Sequence, residues 1–424
     1  MSLMHLAFIL IAAAGACYFL LSLRRFDFFA VAFFSGCVYF LPGFFGYTAM
    51  PVGIAAFASV ELEDQTYLVM LSVLLAIWAG AFVFDHVAQG DGPSWDLGGA
   101  DVAALCAVML AILGYGLTIV TSGEALLDDD KIAMMESLNR WYVLGATAAP
   151  LGAVLAYASK RWVLFLLALG LLLFDMYIGF RIAFAIALIA IFTVHLSRSG
   201  PQRMALQNWR LGCIGLACVA FFFVYKQLYI AVKLGLWDVV LDRLQDTELY
   251  ASALMMSEPF NTQAILNEVV AQDFRVGMGH LKDVALQFVL FSAELGSAPV
   301  SFNDLFQATL FPADLDYGMA NNMWAEMLSS GGWPLLGAFL LCFIALLTVG
   351  SSLIRSRDLS LVAGTAVAFS YWAFYIHRND LLNQINLEKR VVLIWFLCAL
   401  LSLSLRSVHV RWRGDQPSSS LLSR

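Results

Sequence analysis

Residues 177–195 read YIGFRIAFAIALIAIFTVH, an almost wholly apolar stretch that contains a single arginine, Arg181. A second apolar run, starting at Trp162, comes directly before it. One continuous helix over both runs would be about 51 Å long at 1.5 Å per residue, too long for a hydrocarbon core of about 30 Å. The stretch therefore predicts a hairpin of two short membrane helices that turns at Ile178 and Gly179, with Arg181 opening the second helix.

Arg181 needs a partner in such a position. A charged side chain at the centre of a bilayer costs roughly 2.5–3.5 kcal/mol on insertion scales. A helix N-terminus that carries an arginine attracts anions both through the helix dipole and through the charge. The alternatives are an ion pair with Asp175 or a side chain that extends to the membrane interface. We interpret Arg181 as a candidate anion-binding residue at the outer end of its helix.

The composition of the whole chain agrees with a membrane protein. Its 424 residues are 61% hydrophobic and only 13% charged, with a mean hydropathy of +0.80, whereas soluble domains carry about 25% charged residues. The seven cysteines fall inside apolar runs, which indicates neither a disulfide framework nor a thiolate metal site. We predict an all-α polytopic membrane protein with about eleven transmembrane helices. The expected spans lie near residues 4–22, 28–47, 66–84, 102–121, 142–158, 162–178, 181–196, 211–232, 333–350, 359–376 and 391–406.

Loop charges orient these spans. Basic residues collect in loops on one side, starting with Arg24 and Arg25, and the acidic run Asp128, Asp129 and Asp130 falls on the other. The positive-inside rule then predicts an outer N-terminus and an inner C-terminus. The chain divides on this basis into transmembrane helices 1–8 at residues 1–232, a long outer loop with helices of its own at 233–332, transmembrane helices 9–11 at 333–406, and an inner tail at 407–424.

Polar side chains collect on the predicted outer side. The stretch DFRVGMGHLKD places Arg275 and His280 around a glycine-flanked turn, and Asn322 and Glu326 share a helix face just before the ninth span. The loop YIHRNDLLNQINLEKRVV is basic although it lies outside. An anionic ligand would explain that charge. The candidate site residues are His280, Glu326, Arg181, Arg275, Arg378, Asn322 and Arg390.

Each candidate also has a plainer interpretation. A lone histidine is more often a surface residue than a base. Asn322 could cap a helix and Glu326 could be a solvated acid. The basic loop could pair internally with Asp380 and Glu388. The sequence leaves these alternatives open.

Taken together, three features resemble the Wzy-type O-antigen polymerases, a group that also includes the O-antigen ligases. They are the Gly179-Phe180-Arg181 sequence at the head of an apolar helix, the long outer loop late in the chain, and the stretch WAEMLSSGGWPLLG that leads into the next span. The resemblance implies a C-type glycosyltransferase-like architecture in a bacterial inner membrane, with the N-terminus periplasmic and the C-terminus cytoplasmic. It implies polymerisation of undecaprenyl-pyrophosphate-linked oligosaccharide repeat units at the periplasmic face, by a metal-independent, inverting glycosyltransferase that needs no cofactor.

The resemblance also implies roles for residues. Arg181 matches the arginine that contacts the lipid pyrophosphate, and rigid guanidinium forks at Arg275, Arg378 and Arg390 suit the same anion. His280 and Glu326 are the candidates for the base that takes the acceptor proton, with His280 preferred and Glu326 as an orienting or acceptor-binding residue. Asn322 would bind substrate.

The implied partners are a lipid-linked glycan donor and acceptor, membrane lipids and a chain-length regulator protein, with no nucleic acid. An O-antigen ligase is the alternative within the same group. A polysaccharide-lipid flippase or a secondary transporter is the alternative outside it. A transporter should carry charges in the middle of its spans. Only Asp175 and Lys226 do so here, which favours the enzyme.

Overall fold

The computed structural model of this protein describes residues 2–53, 56–87, 92–93, 99–127, 134, 137–288, 299–311 and 319–414. Most of them are helical, which confirms the prediction of an all-α membrane protein. The count of eleven spans stays a prediction. Six helices in the described part are long and apolar enough to cross a membrane. They are α1 (Leu3–Leu21), α4 (Asp64–Val87), α5 (Ala100–Ser122), α6 (Arg140–Ala158), α10 (Trp209–Lys233) and α16 (Met323–Leu353).

Shorter helices complete the set. The apolar ones of intermediate length are α2 (Phe28–Tyr39), α7 (Trp162–Tyr177), α8 (Ile182–Ser197) and α17 (Leu359–Ser370), the last continued by a π-helical turn over Tyr371–Tyr375. Two very short ones are α3 (Leu41–Phe45) and α9 (Met204–Gln207). The predicted long loop contains α11 (Trp237–Gln245), α12 (Thr247–Met255), α13 (Glu258–Ala271), α14 (Met278–Ala285) and α15 (Phe302–Leu310). The chain ends in α18 (Leu381–Gly414).

The hairpin predicted around Arg181 is present. Helix α7 ends at Tyr177 and α8 begins at Ile182. Gly179 between them has a φ of 105°, a left-handed conformation that favours glycine. The backbone carbonyl of Arg181 accepts from Ala185 N–H, so Arg181 stands directly at the helix start, as the sequence predicts.

The second span, predicted at residues 28–47, is not one continuous helix. Helix α2 ends at Tyr39, and after α3 the chain forms a two-stranded antiparallel sheet of β1 (Tyr47–Gly53) and β2 (Ala56–Glu61). Tyr47 pairs with Glu61 and Met50 with Ala58. No strand was predicted here, because nearly all of the hairpin falls in the connection between the spans predicted at 28–47 and 66–84.

The chain forms two compact units, and neither is continuous in sequence. The first comprises residues 1–90, 195–351 and 369–389, and the second comprises 91–194, 352–368 and 390–424. In the second, small and aromatic side chains of α5, α6, α7 and α8 form one core around Tyr115, Ala149 and Leu172. Asp175 is buried there and accepts from the Tyr142 hydroxyl at 2.9 Å.

In the first unit, helix α13 lies inside the core although it comes from the predicted loop. Most of its side chains are buried. The amide of Asn267 binds the strand end, accepting from Glu63 N–H at 2.8 Å and donating to Glu61 O at 3.2 Å. Thr48 of β1 donates to the carbonyl of Phe260 at 2.6 Å. The segment at 233–332 is therefore partly a core element of the first unit.

Arg24, which the sequence analysis used as an orienting loop charge, is buried. Its guanidinium lies 3.0 Å from Asp27 and 2.9 Å from Asp85, and its side chain is 4% exposed. Two carboxylates thus neutralise it, and only Arg25 of the pair is left as a loop charge. The acidic run at residues 128–130 lies outside the described residues.

Candidate functional site

The site begins with a break in helix α16. Gly331 and Gly332 have non-helical backbone angles, and the φ of 65° and ψ of −159° at Gly332 are accessible essentially only to glycine. The break separates a short buried helical segment, 323–330, from the apolar run that begins at Trp333. Glu326 lies on the short segment, so the predicted span at 333–350 and the polar stretch before it are two separate pieces.

Breaking the helix leaves backbone carbonyls without their usual partners. The strand-like segment before α14 supplies the donors. Val276 N–H donates to Ser329 O at 3.0 Å, and the Arg275 guanidinium donates to Leu328 O at 2.8 Å. Arg275 also donates to Asp273 at 2.6 Å, and its side chain remains 53% exposed. Arg275 therefore caps the helix end while a large part of its guanidinium faces outward.

Five residues later, the same segment brings His280 to the short helix. The Nε2 atom of His280 lies 2.9 Å from Oε1 of Glu326, and the two side chains are 5% and 0% exposed. The glycine-flanked turn lies before the histidine, at Gly277, and His280 itself lies in the first turn of α14. The alternative of a solvated Glu326 is wrong. The two candidates for the base are one hydrogen-bonded pair.

The N-terminus of α18 completes the surroundings of Glu326. Leu381 N–H donates to Oε2 of Glu326 at 2.7 Å, so both carboxylate oxygens are occupied. Asp380 caps the same helix by accepting from Asn383 N–H at 2.8 Å, and it accepts from Phe302 N–H of α15 at 3.3 Å. Burial raises the pKa of Asp380. Helix N-termini stabilise anions, which explains how two carboxylates can be buried together.

Asn322 has no free amide group for a ligand. Its Oδ1 accepts from Trp324 N–H at 3.0 Å and from Ala325 N–H at 3.1 Å, and its Nδ2 donates to Thr262 O at 2.8 Å. The side chain is fully buried. Asn322 is therefore a helix cap, the alternative that the sequence leaves open, and its substrate-binding role stays a prediction.

His377 and Arg378 come shortly after the π-helical turn at Tyr371–Tyr375. The first is buried and the second is partly exposed. His377 is fully buried, accepts from Trp324 Nε1–H at 3.2 Å and stacks on Tyr39. Burial lowers its pKa to about 3. Arg378 lies 3.1 Å from Glu258 and over the ring of Tyr375, with 25% of its side chain exposed. An internal carboxylate thus already partners Arg378, as the plainer interpretation of the basic loop predicts, although the acid is Glu258.

The structure places Arg181 and the exposed Arg390 in the second unit, and His280, Glu326, Arg275 and Arg378 in the first. The substrate-binding roles of Arg181 and Arg390 stay predictions. Sequence reasoning missed Asp380 as a member of the site. The signal was available, because an aspartate directly before the apolar helical run LLNQINL is a typical N-cap.

The described residues contain no group of three or more histidine, cysteine, aspartate or glutamate side chains that could hold a metal ion. The fold and site define an all-α membrane protein with a buried histidine–glutamate pair. No protein-family model, curated protein or solved structure matches this chain.

Proposed function

We propose that this protein transfers a lipid-linked glycan, and specifically that it polymerises undecaprenyl-pyrophosphate-linked repeat units as a metal-independent, inverting glycosyltransferase. One observation carries the proposal. Arg275 and His280 both contact the same turn of α16. Arg275 donates to the carbonyl of Leu328, and His280 pairs with the carboxylate of Glu326. A guanidinium that binds the anionic leaving group and an imidazole that accepts the hydroxyl proton are the two groups that such a transfer needs.

The pair suits the deprotonation of an acceptor hydroxyl. An ionised Glu326 only accepts hydrogen bonds, so it orients the imidazole and stabilises the cation that forms when His280 takes a proton. The hydroxyl oxygen then attacks the anomeric carbon of the donor. The bond from that carbon to the pyrophosphate oxygen breaks, and the pyrophosphate leaves with the electron pair.

The leaving pyrophosphate needs positive charge. Arg275 has N–H donors beyond the two that bind Leu328 O and Asp273, and it is half exposed. Arg181 opens α8 in the second unit, and its role toward an anion stays a separate prediction. A bidentate fork fits phosphate oxygens better than an ammonium group does.

A secondary transporter is the second candidate, because of the break at Gly331 and Gly332. Discontinuous helices with a buried acid are typical of transporter binding sites. Glu326, however, precedes the break, and residues 333–353 form an apolar run long enough to cross a membrane without it. This position favours the enzyme.

The test is the envelope glycan of a strain in which the gene is deleted. We expect a single repeat unit on the lipid core, and restoration of the polymer by the wild-type gene but not by His280→Ala at equal protein level. A bare core would show a ligase instead. Accumulation of the substrate inside the cell would show a transporter.

A further inference from the structure

Helix α10 has the length and composition of a membrane span, yet few of its residues are buried by protein. Ile214, Leu216 and Phe221 are among its exposed side chains. In a membrane protein, such an apolar surface faces lipid acyl chains. The end of α10 at Lys233 therefore marks a membrane boundary.

After α10 the chain turns back and stays beside the end of that helix. Gly235, with a φ of 68°, turns it, and α11 returns alongside α10. Val240 of α11 packs against Leu228 of α10. Leu228 precedes Lys233 by five residues, which is about 7–8 Å along a helix. Helix α11 therefore lies beside the last turns of the span and does not extend beyond its end.

A second contact with α10 lies farther from the membrane boundary at Lys233 than Leu228 does. The ammonium group of Lys226 in α10 donates to the carbonyl of Met256, at the end of α12, at 2.8 Å. Lys226 precedes Lys233 by seven residues, about 10 Å along the helix. The contact satisfies a lysine within an apolar span and holds α12 at that depth.

Helix α11 is amphipathic. Trp237, Leu241 and Leu244 share one face at helical spacing and are 60%, 58% and 38% exposed. Asp242 and Arg243 lie on the opposite side. Exposed leucines with a tryptophan, beside a lipid-facing span, are typical of a helix that lies in the membrane interface.

We propose that α11 is an interfacial helix that inserts Trp237, Leu241 and Leu244 into the boundary between headgroups and acyl chains of the bilayer that α10 crosses. The occupant of its apolar face is lipid, since the face continues the lipid-facing surface of α10. Two acids, Asp238 and Asp242, outnumber the single base Arg243 on α11, so anionic headgroups gain no net attraction to the helix and the insertion depends on apolar burial. The proposal is independent of the proposed glycan transfer.

The experiment uses the full-length protein without its native cysteines, reconstituted into phosphatidylcholine vesicles with or without phosphatidylglycerol. A nitroxide is attached to a cysteine introduced at Leu241 or Leu244, or at Asp242 or Arg243 as matched controls on the same helix. Collision with oxygen, which partitions into the membrane, is compared with collision with a water-soluble nickel chelate. We expect a severalfold higher ratio of oxygen to nickel collisions at Leu241 and Leu244 in both vesicle types.

Equal ratios at all four positions would overturn the proposal, because uniformly low ratios would show α11 in water and uniformly high ratios would show it inside the hydrocarbon core on every side. Spin–spin broadening at Leu241 that disappears on dilution with unlabelled protein would also overturn it, since a second copy would then cover the face. A high ratio only in vesicles with phosphatidylglycerol would contradict the apolar basis of the insertion.

Discussion

The hydrogen bond between His280 and Glu326 sets the histidine tautomer that the proposed mechanism uses. Leu381 N–H donates to one oxygen of Glu326, and the other oxygen lies 2.9 Å from Nε2 of His280. When Glu326 is ionised it cannot donate, so Nε2 then carries the proton and Nδ1 keeps the lone pair that can act as a base.

Glu326→Gln should therefore separate activity from stability. The amide oxygen can still accept from Leu381 N–H, which turns the amide N–H groups toward Nε2 and moves the ring proton to Nδ1. We expect a nearly unchanged unfolding temperature and polymer formation reduced by about 10²–10⁴-fold, the usual contribution of a positioned base. Purified protein in detergent with lipid-linked repeat units measures both quantities.

Asp304→Asn is the matched control, because it makes the same chemical change on an exposed acid of α15. It should leave polymer formation unchanged. Full activity of Glu326→Gln would show that the pair supplies no base.

His377 is a buried core residue, and its environment predicts a pH effect on stability. Burial holds its folded-state pKa at about 3, while an unfolded histidine titrates near about 6.5. Below that pH the unfolded chain binds a proton that the folded chain does not. The contribution of neutral His377 to the free energy of unfolding is therefore complete above about pH 6.5. It is lost as the pH falls toward 3, by up to about 1.4 kcal/mol per pH unit.

His377→Gln should reduce this acid sensitivity. The amide oxygen can accept from Trp324 Nε1–H in place of the imidazole, and the side chain does not titrate. Unfolding midpoints followed by tryptophan fluorescence at pH 7.5 and pH 5 should differ less in the variant than in the wild type. An identical difference in both proteins would rule out His377 as the source.

At the scale of elements, the broken helix α16 holds the site together. Gly332 permits the break, and the segment at 275–277 caps the carbonyls that the break exposes. The carboxylate of Glu326 then meets the N-terminus of α18, which supplies the donor of Leu381. Three chain segments distant in sequence thus meet at one helical turn.

Gly332→Ala should destabilise the protein, because an alanine in this backbone conformation costs on the order of 1–3 kcal/mol. Gly337→Ala is the matched control in the same helix, since nothing lies within 4 Å of its added Cβ. It should be neutral or slightly stabilising. Thermal unfolding in detergent compares the two variants, and equal midpoints would show that the break is not held by Gly332.

At the scale of the whole molecule, the orientation in the membrane remains a prediction from loop charges. The burial of Arg24 between two aspartates removes one of the loop charges on which that prediction depends. The prediction places the segment at 233–332 in the periplasm.

Cysteines introduced at Gln245 or Ala271, both exposed, should react with a membrane-impermeant thiol reagent in intact spheroplasts. A cysteine at the exposed Ser199, in a predicted inner loop, should react only after lysis. The reverse pattern would invert the orientation.

The sequence by itself determined the helices and their turns. Apolar run length predicted the hairpin of α7 and α8, the turn at Gly179 and the position of Arg181 at a helix start, because these depend on local composition and on the thickness of a bilayer. The strands at 47–61 were missed because their apolar residues do not alternate clearly enough to predict strands in the connection between two spans.

Only the tertiary structure decided what the polar residues do. His280 and Glu326 are 46 residues apart and pair because a helix break and a capping segment bring them together. Asn322 turned out to be a cap and Asp380 a member of the site, since backbone donors that approach from other segments select the role of a buried side chain. Hydrogen-bond partners distant in sequence leave no periodic signal, so the fold alone assigns them.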